Sequence, residues 1–196
     1  MLGAGAVVNV PEPASLLRVA LHVLYGLPCV HLNASLNLIE GALDALLKYG
    51  VAIRAIAAPR FPLYDLVLAR APVQPIEVYA LAGKYALEDV AVAASGHLLS
   101  YDTLTLSDEL SVKMGPSYLK HLFDLHDTRR AALKNIVLKP PGGHAPTAMC
   151  DARSQQQLAA AWAHAAADIA WNNPMRTCRF IGAWEPAAML TRVRSY

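Results

Sequence analysis

Histidine and cysteine are the residues here that could hold a metal or move a proton. His121 and His126 stand five apart. At about 100° per residue, a helix sets them about 140° apart, so they do not form a zinc pair on one face. His144 and Cys150 share the loop after Pro140-Pro141-Gly142-Gly143, and both residue types ligate zinc well. Two ligands do not close a site, and Cys178 would have to arrive from far along the chain. His126 is flanked by Asp124 and Asp127, with Arg129 one turn on. No Gly-x-Ser-x-Gly elbow or comparable signature places a nucleophile beside it. His126 therefore reads as a core histidine with its hydrogen bonds satisfied, and Arg129 as a side chain that rests its stem on apolar surface.

Phosphate cradles fare no better. Gly3-Ala4-Gly5-Ala6 lacks a third glycine, and no lysine followed by serine or threonine comes after Gly143. Tyr49, Tyr79 and Tyr85 could stack on a ligand, but their spacing suits core and helix-end positions. With no converging polar set, we expect no catalytic residue, no cofactor and no metal: a protein that binds rather than catalyses. A small helical metal protein or enzyme using His126, His144 and Cys150 is the rival from another class.

Composition bounds the rest. Hydrophobic residues make up 55% of the 196 positions and charged residues only 16%, so the surface is poor in charge. Either apolar patches are exposed or a partner covers them. A net charge of +2 is too small to argue for nucleic acid, and Arg176, Arg179, Arg192 and Arg194 are spread out. Three cysteines far apart, Cys29, Cys150 and Cys178, point to a reducing compartment. The N-terminus has no basic region, and no apolar run approaches the roughly 20 residues of a membrane span. The expectation is an intracellular protein, in cytoplasm or nucleus, without membrane contact.

The elements that would position these residues are helices. Over residues 75 to 100, Ile76, Tyr79, Ala82, Ala86, Val90, Ala94 and Leu98 recur at steps of three and four. Gly83 and the Tyr85-Ala86-Leu87 junction should split this stretch into helix, turn, helix, with Glu88 and Asp89 opening the second. Residues 14 to 25 are apolar almost all round and read as a central buried helix ended by Gly26 and Pro28. On that placement Leu21→Asp should abolish folding. Residues 35 to 49 form a helix striped by Leu36, Ile39, Leu43, Leu46 and Leu47, with Gly50 after it. A short helix follows at 52 to 58, and Pro59, Pro62, Pro72 and Pro75 mark a looser connection. Thr103 to Met114 carries a short helix, and Gly115-Pro116 starts a long one ending near Leu138. Leu119, Leu122, His126, Arg129, Leu133 and Ile136 line it. Ser154 with Gln157 suggests a capping box. The helix it opens should bury Leu158, Trp162, Ala165 and Ile169. A last helix covers 186 to 193, and residues 7 to 10 could form one strand. Lys48-Tyr49 and its following residues echo Lys84-Tyr85, 36 positions on. A duplicated unit and chance in an alanine-rich chain both remain open.

In this order the segments resemble a known family. Residues 16 to 26, L-L-R-V-A-L-H-V-L-Y-G, resemble the central helix of BTB/POZ domains, and A-L-D-A-L-L-K-Y-G-V (42 to 51) looks like the helix after it. Residues 76 to 95 and 118 to 133 are similar to the helical extension of fungal BTB proteins. The resemblance covers about residues 7 to 140. The family's opening strands and two helices have no counterpart here, and Ala86 replaces its usual glycine. The resemblance implies a mainly α bundle of about eight to ten helices with at most one short N-terminal strand. It implies three regions: a partial BTB/POZ region (1–72), a helical extension (73–140), and a loop with C-terminal helices packed on it (141–196). The function it implies is a protein–protein interaction module with protein partners, self-association among them. A cullin ubiquitin-ligase adaptor is the alternative, although no hydrophobic-x-Glu recruitment pattern is present. The expected buried frame is Leu17, Leu21, Leu24, Tyr25, Tyr49, Tyr79, Tyr85 and Trp162.

Overall fold

The computed structural model describes residues 9–147 and 149–172. Over these residues the protein is mainly helical, with eight α-helices and no strand or sheet. The strand foreseen at 7 to 10 falls largely outside them, as do Cys178 and the helix at 186 to 193.

The chain divides into two compact units. The first lies within Met1–Leu98 and Ser107–Tyr118, the second within Leu99–Leu106 and Leu119–Tyr196. The first unit begins with α1, Ala14–Leu24, and α2, Leu36–Lys48, which pack on each other. Ser35 caps α2: its hydroxyl accepts from the Leu38 amide at 3.3 Å. A single turn, α3, spans Ile53–Ile56. Next comes α4, Pro62–Leu68, in the stretch read from sequence as a loose connection. Pro62 at the first helical position ends the irregular backbone before it. Leu63, Leu66 and Val67 then reach the core at helical spacing. The pair α5, Pro75–Tyr85, and α6, Glu88–Ser95, matches the expected helix, turn, helix.

The centre of the first unit is α5, not α1. Ile76, Val78, Tyr79, Ala80, Leu81, Ala82 and Tyr85 are all buried, so α5 is covered on nearly every side. Only Val19, Ala20 and Val23 of α1 are buried. Leu21 and Leu24 are 47% and 45% exposed, and Tyr25 is 72% exposed. The sequence reading of α1 as the central helix is therefore corrected. An apolar surface all round permits burial all round, but neighbours cover one face. Leu17 is half-buried, and Leu47 and Tyr49 are exposed as well. Of the expected frame, Tyr79 and Tyr85 alone are buried.

Three stops in this unit share one geometry. After α1, Gly26 has φ +67°, its amide bonds to Val23 O and the Leu27 amide to His22 O. After α2, Gly50 has φ +79°, with Gly50 bonded to Leu47 O and Val51 to Leu46 O. After α5, Ala86 has φ +53°, with Ala86 bonded to Gly83 O and Leu87 to Ala82 O. Each is a Schellman stop, in which the residue after the tyrosine turns left-handed to satisfy the last carbonyls. Ala86 does this with a Cβ, which disfavours it. Gly83 is not a break, as the sequence suggested, but lies inside α5. A Cβ there would sit 2.5 Å from the carbonyl oxygen of Met114 and 2.8 Å from its Cα. The glycine lets the start of the next long helix lie directly on α5.

That helix is α7, Asp108–Val137, interrupted at Gly115 (φ 76°, ψ 166°) just before Pro116. The expected short and long helices are thus both present. In the second unit, Leu122 and His126 are buried on α7, whereas Ile136 is 71% exposed. The final helix, α8, Ala152–Ala167, is capped by Asp151, whose carboxylate accepts from the Ser154 amide at 2.7 Å. The expected capping box is corrected: Ser154 already sits in the first turn. The α8 stripe is corrected too. Ala166, with Ala170 in the wider turn Asp168–Asn172, is buried, while Leu158, Trp162 and Ala165 are exposed and Ile169 is intermediate.

Candidate functional site

The four histidine and cysteine candidates come together in no cluster: no group of three or more histidine, cysteine or acidic side chains suited to a metal occurs among the described residues. His121 is exposed and His126 is buried. His144 is exposed, its Nδ1 2.7 Å from the carbonyl of Ala145. Cys150 sits in a small turn in which the amides and carbonyls of Thr147 and Cys150 pair at 3.0 and 3.2 Å.

His126 carries the more interesting chemistry. It is 2% exposed, and neither ring nitrogen has a hydrogen-bond partner. Burial, together with Arg129 and Arg130, holds its pKa below the ordinary imidazole value, against the opposite pull of Asp127 and Asp102. One guanidinium nitrogen of Arg129 is also buried and unpartnered. His126 is thus a core group, as expected from sequence, but not the satisfied one expected there, since both ring nitrogens lack a partner.

The two Lys-Tyr doublets build the first unit's polar structure. Lys48 Nζ donates to Glu12 at 2.6 Å, and Tyr49 Oη donates to the other oxygen of that carboxylate at 2.5 Å. These bonds from Lys48 and Tyr49 lower the pKa of Glu12. One motif further on, Lys84 Nζ reaches Glu40 at 2.9 Å and Asp44 at 3.2 Å. Tyr85 Oη donates to Asp44 at 2.7 Å and to the Glu40 carbonyl at 3.2 Å. Both ammonium groups lie over the ring of the adjacent tyrosine, 5.3 and 4.9 Å from the centroids. Lys113 adds a further bond to Glu40 at 2.5 Å. Burial would raise the pKa of Glu40, but the two lysines more than offset this and hold it low. Burial and the bond to Asp44 push the Tyr85 hydroxyl far up. The sequence echo therefore has a shared structural role: each doublet ends a helix and ties it to a carboxylate upstream. The acidic partners Glu12, Glu40 and Asp44 were not singled out by sequence reasoning. The repeated doublet was the signal that something anionic should meet it.

Among the open surfaces of this unit, two bear on binding. One is a cavity of about 350 Å³ lined by Leu47, Ala52, Ile53, Arg54, Lys84 and Tyr85. The other is the end of α1 and the segment after it, where Leu21, Leu24, Tyr25, Leu27 and Val30 are each 45% exposed or more. No family model, no curated protein and no solved structure matches this chain. No helix among the described residues is long and apolar enough to cross a membrane.

Proposed function

We propose that the chain is a protein–protein interaction module of BTB/POZ type, the C-terminal part of such a domain with its helical extension, acting without catalysis. The observation that carries this reading is the apolar face at the end of α1. Five large apolar residues within ten positions stand open to solvent there. Large apolar side chains left open to water are costly, and their clustering along the chain suits a surface that another protein covers. The order of the soft BTB-like motifs, which fall on α1, α2, α5–α6 and α7, supports the family assignment. The free thiols of Cys29 and Cys150 support an intracellular setting.

The test is a surface variant carrying Leu21→Asp and Tyr25→Ser. The wild type should bind a hydrophobic dye in its native state or self-associate by light scattering. The variant should lose that behaviour while its thermal unfolding moves by only a few degrees. A wild type that binds no dye and stays monomeric at high concentration would remove the observation on which the reading stands.

A further inference from the structure

The geometry points to a second recognition site: we infer that the cavity between the end of α2, α3 and the end of α5 receives an aliphatic side chain of a peptide, with an adjacent carboxylate on Arg54. The inference rests on the reading of the chain as a binding module, but uses a different surface from the α1 face.

Three of the six lining residues, Leu47, Ala52 and Ile53, are apolar. Leu47 belongs to the α2 stripe yet is 51% exposed, because the chain turns away at Gly50 and leaves the space beside it open. Two of the six lining residues are cationic, and none is acidic. Their states differ. Lys84 is already held by Glu40 and Asp44. Arg54 is exposed and joins no ion pair among the described residues. Its charge acts weakly on Tyr118, whose hydroxyl donates to Glu88 at 3.1 Å. The site thus offers an apolar recess with one unspent guanidinium, which pairs best with a carboxylate.

Size narrows the occupant. About 350 Å³ is at the low end of the roughly 300–1,000 Å³ of sites that enclose a whole small molecule. One anchoring side chain and its flanking backbone suit the space better than a bulky cofactor. Charge complementarity then selects peptides in which leucine, isoleucine or methionine neighbours aspartate or glutamate.

The probe is an array of fluorescein-labelled octapeptides. A central leucine, isoleucine, methionine, alanine or serine is flanked by aspartate, asparagine or lysine. Binding is read by fluorescence anisotropy against the intact chain and its Arg54→Glu variant. Circular dichroism should show Arg54→Glu folded, since the side chain is exposed and unpaired. Wild type should prefer aspartate-flanked aliphatic peptides. The variant should weaken these about tenfold or more and favour the lysine-flanked set. Equal binding of asparagine-flanked peptides, no binding above the serine peptides, or a preference unmoved by Arg54→Glu would each overturn the inference. The α1-face variant above leaves this cavity intact. Retained peptide binding there, with no dye binding by the wild type, would fell the α1 reading alone. Dye binding without peptide binding would fell the cavity alone.

Discussion

The two units spend apolar surface in opposite ways. In the first, α5 is buried along nearly its whole length, and Ile39, Leu43, Leu63, Leu66, Leu81 and Leu98 are all fully buried. In the second, the buried residues among those described are Leu122, His126, Ala166 and Ala170. Leucine and isoleucine each contribute about 1.5–3 kcal/mol on full burial, whereas an alanine methyl contributes roughly 0.8 kcal/mol. The second unit also encloses an imidazole whose nitrogens are unpaired, which costs free energy. The larger apolar side chains there, Phe123, Ile136, Leu158 and Trp171, stand open instead. Overall apolar content therefore says little about stability. What counts is whether large side chains converge, and they converge in the first unit.

The strongest way to break this comparison is Gly83→Ala. The new methyl would meet backbone atoms of Met114 that cannot swing aside. Overpacking of this kind should cost about 3 kcal/mol or more in chemical denaturation followed by circular dichroism. Gly142→Ala, which meets nothing within 4 Å, should cost almost nothing.

Next in size is the second Lys-Tyr doublet. Tyr85→Phe removes the hydroxyl that donates to Asp44 and to the Glu40 carbonyl. The expected loss is about 1–2 kcal/mol in the same denaturation experiment. Trp162→Phe removes one exposed bond to the Val137 carbonyl in the second unit, and should cost less. Equal losses would contradict the contrast between the units.

Acid should act on the second unit through His126. Its folded pKa lies below the ordinary 6.5, so the unfolded chain takes up a proton that the folded chain refuses. Its proton linkage therefore leaves stability level above pH 6.5 and lowers it as pH falls below that value, until the folded pKa is reached. All three tryptophans lie at position 162 or later, so urea unfolding by tryptophan fluorescence reports this unit. Its midpoint should drop between pH 7.5 and 5.5, and His126→Phe should flatten that dependence. Coincident fluorescence and circular dichroism curves at every pH would mean that the units unfold together.

The smallest expected effect is a gain. Ala86→Gly relieves a left-handed alanine and should stabilise the first unit by roughly 0.5–1 kcal/mol. A thermal melt unchanged or lowered would show that the backbone there is not under strain.

Local chemistry was legible in the sequence. The Tyr-Gly and Tyr-Ala stops depend on a left-handed residue and on carbonyls one turn back, so Gly26, Gly50 and Ala86 mark helix ends by themselves. The period of α5 and α6 and the start at Pro116 are equally local. The burial of His126 followed from its place on an apolar stripe, although its unpartnered ring nitrogens did not. Tertiary structure alone decided which apolar faces found neighbours. Periodicity shows that a face can be buried, not that another helix arrives, and so α5 became the centre while α1 kept Leu21, Leu24 and Tyr25 in solvent. The packing role of Gly83, the pairing of Lys84 with Glu40 and Asp44, and the recess beside Arg54 all join residues distant in sequence. Such contacts depend on where the chain returns in space, which no local spacing encodes.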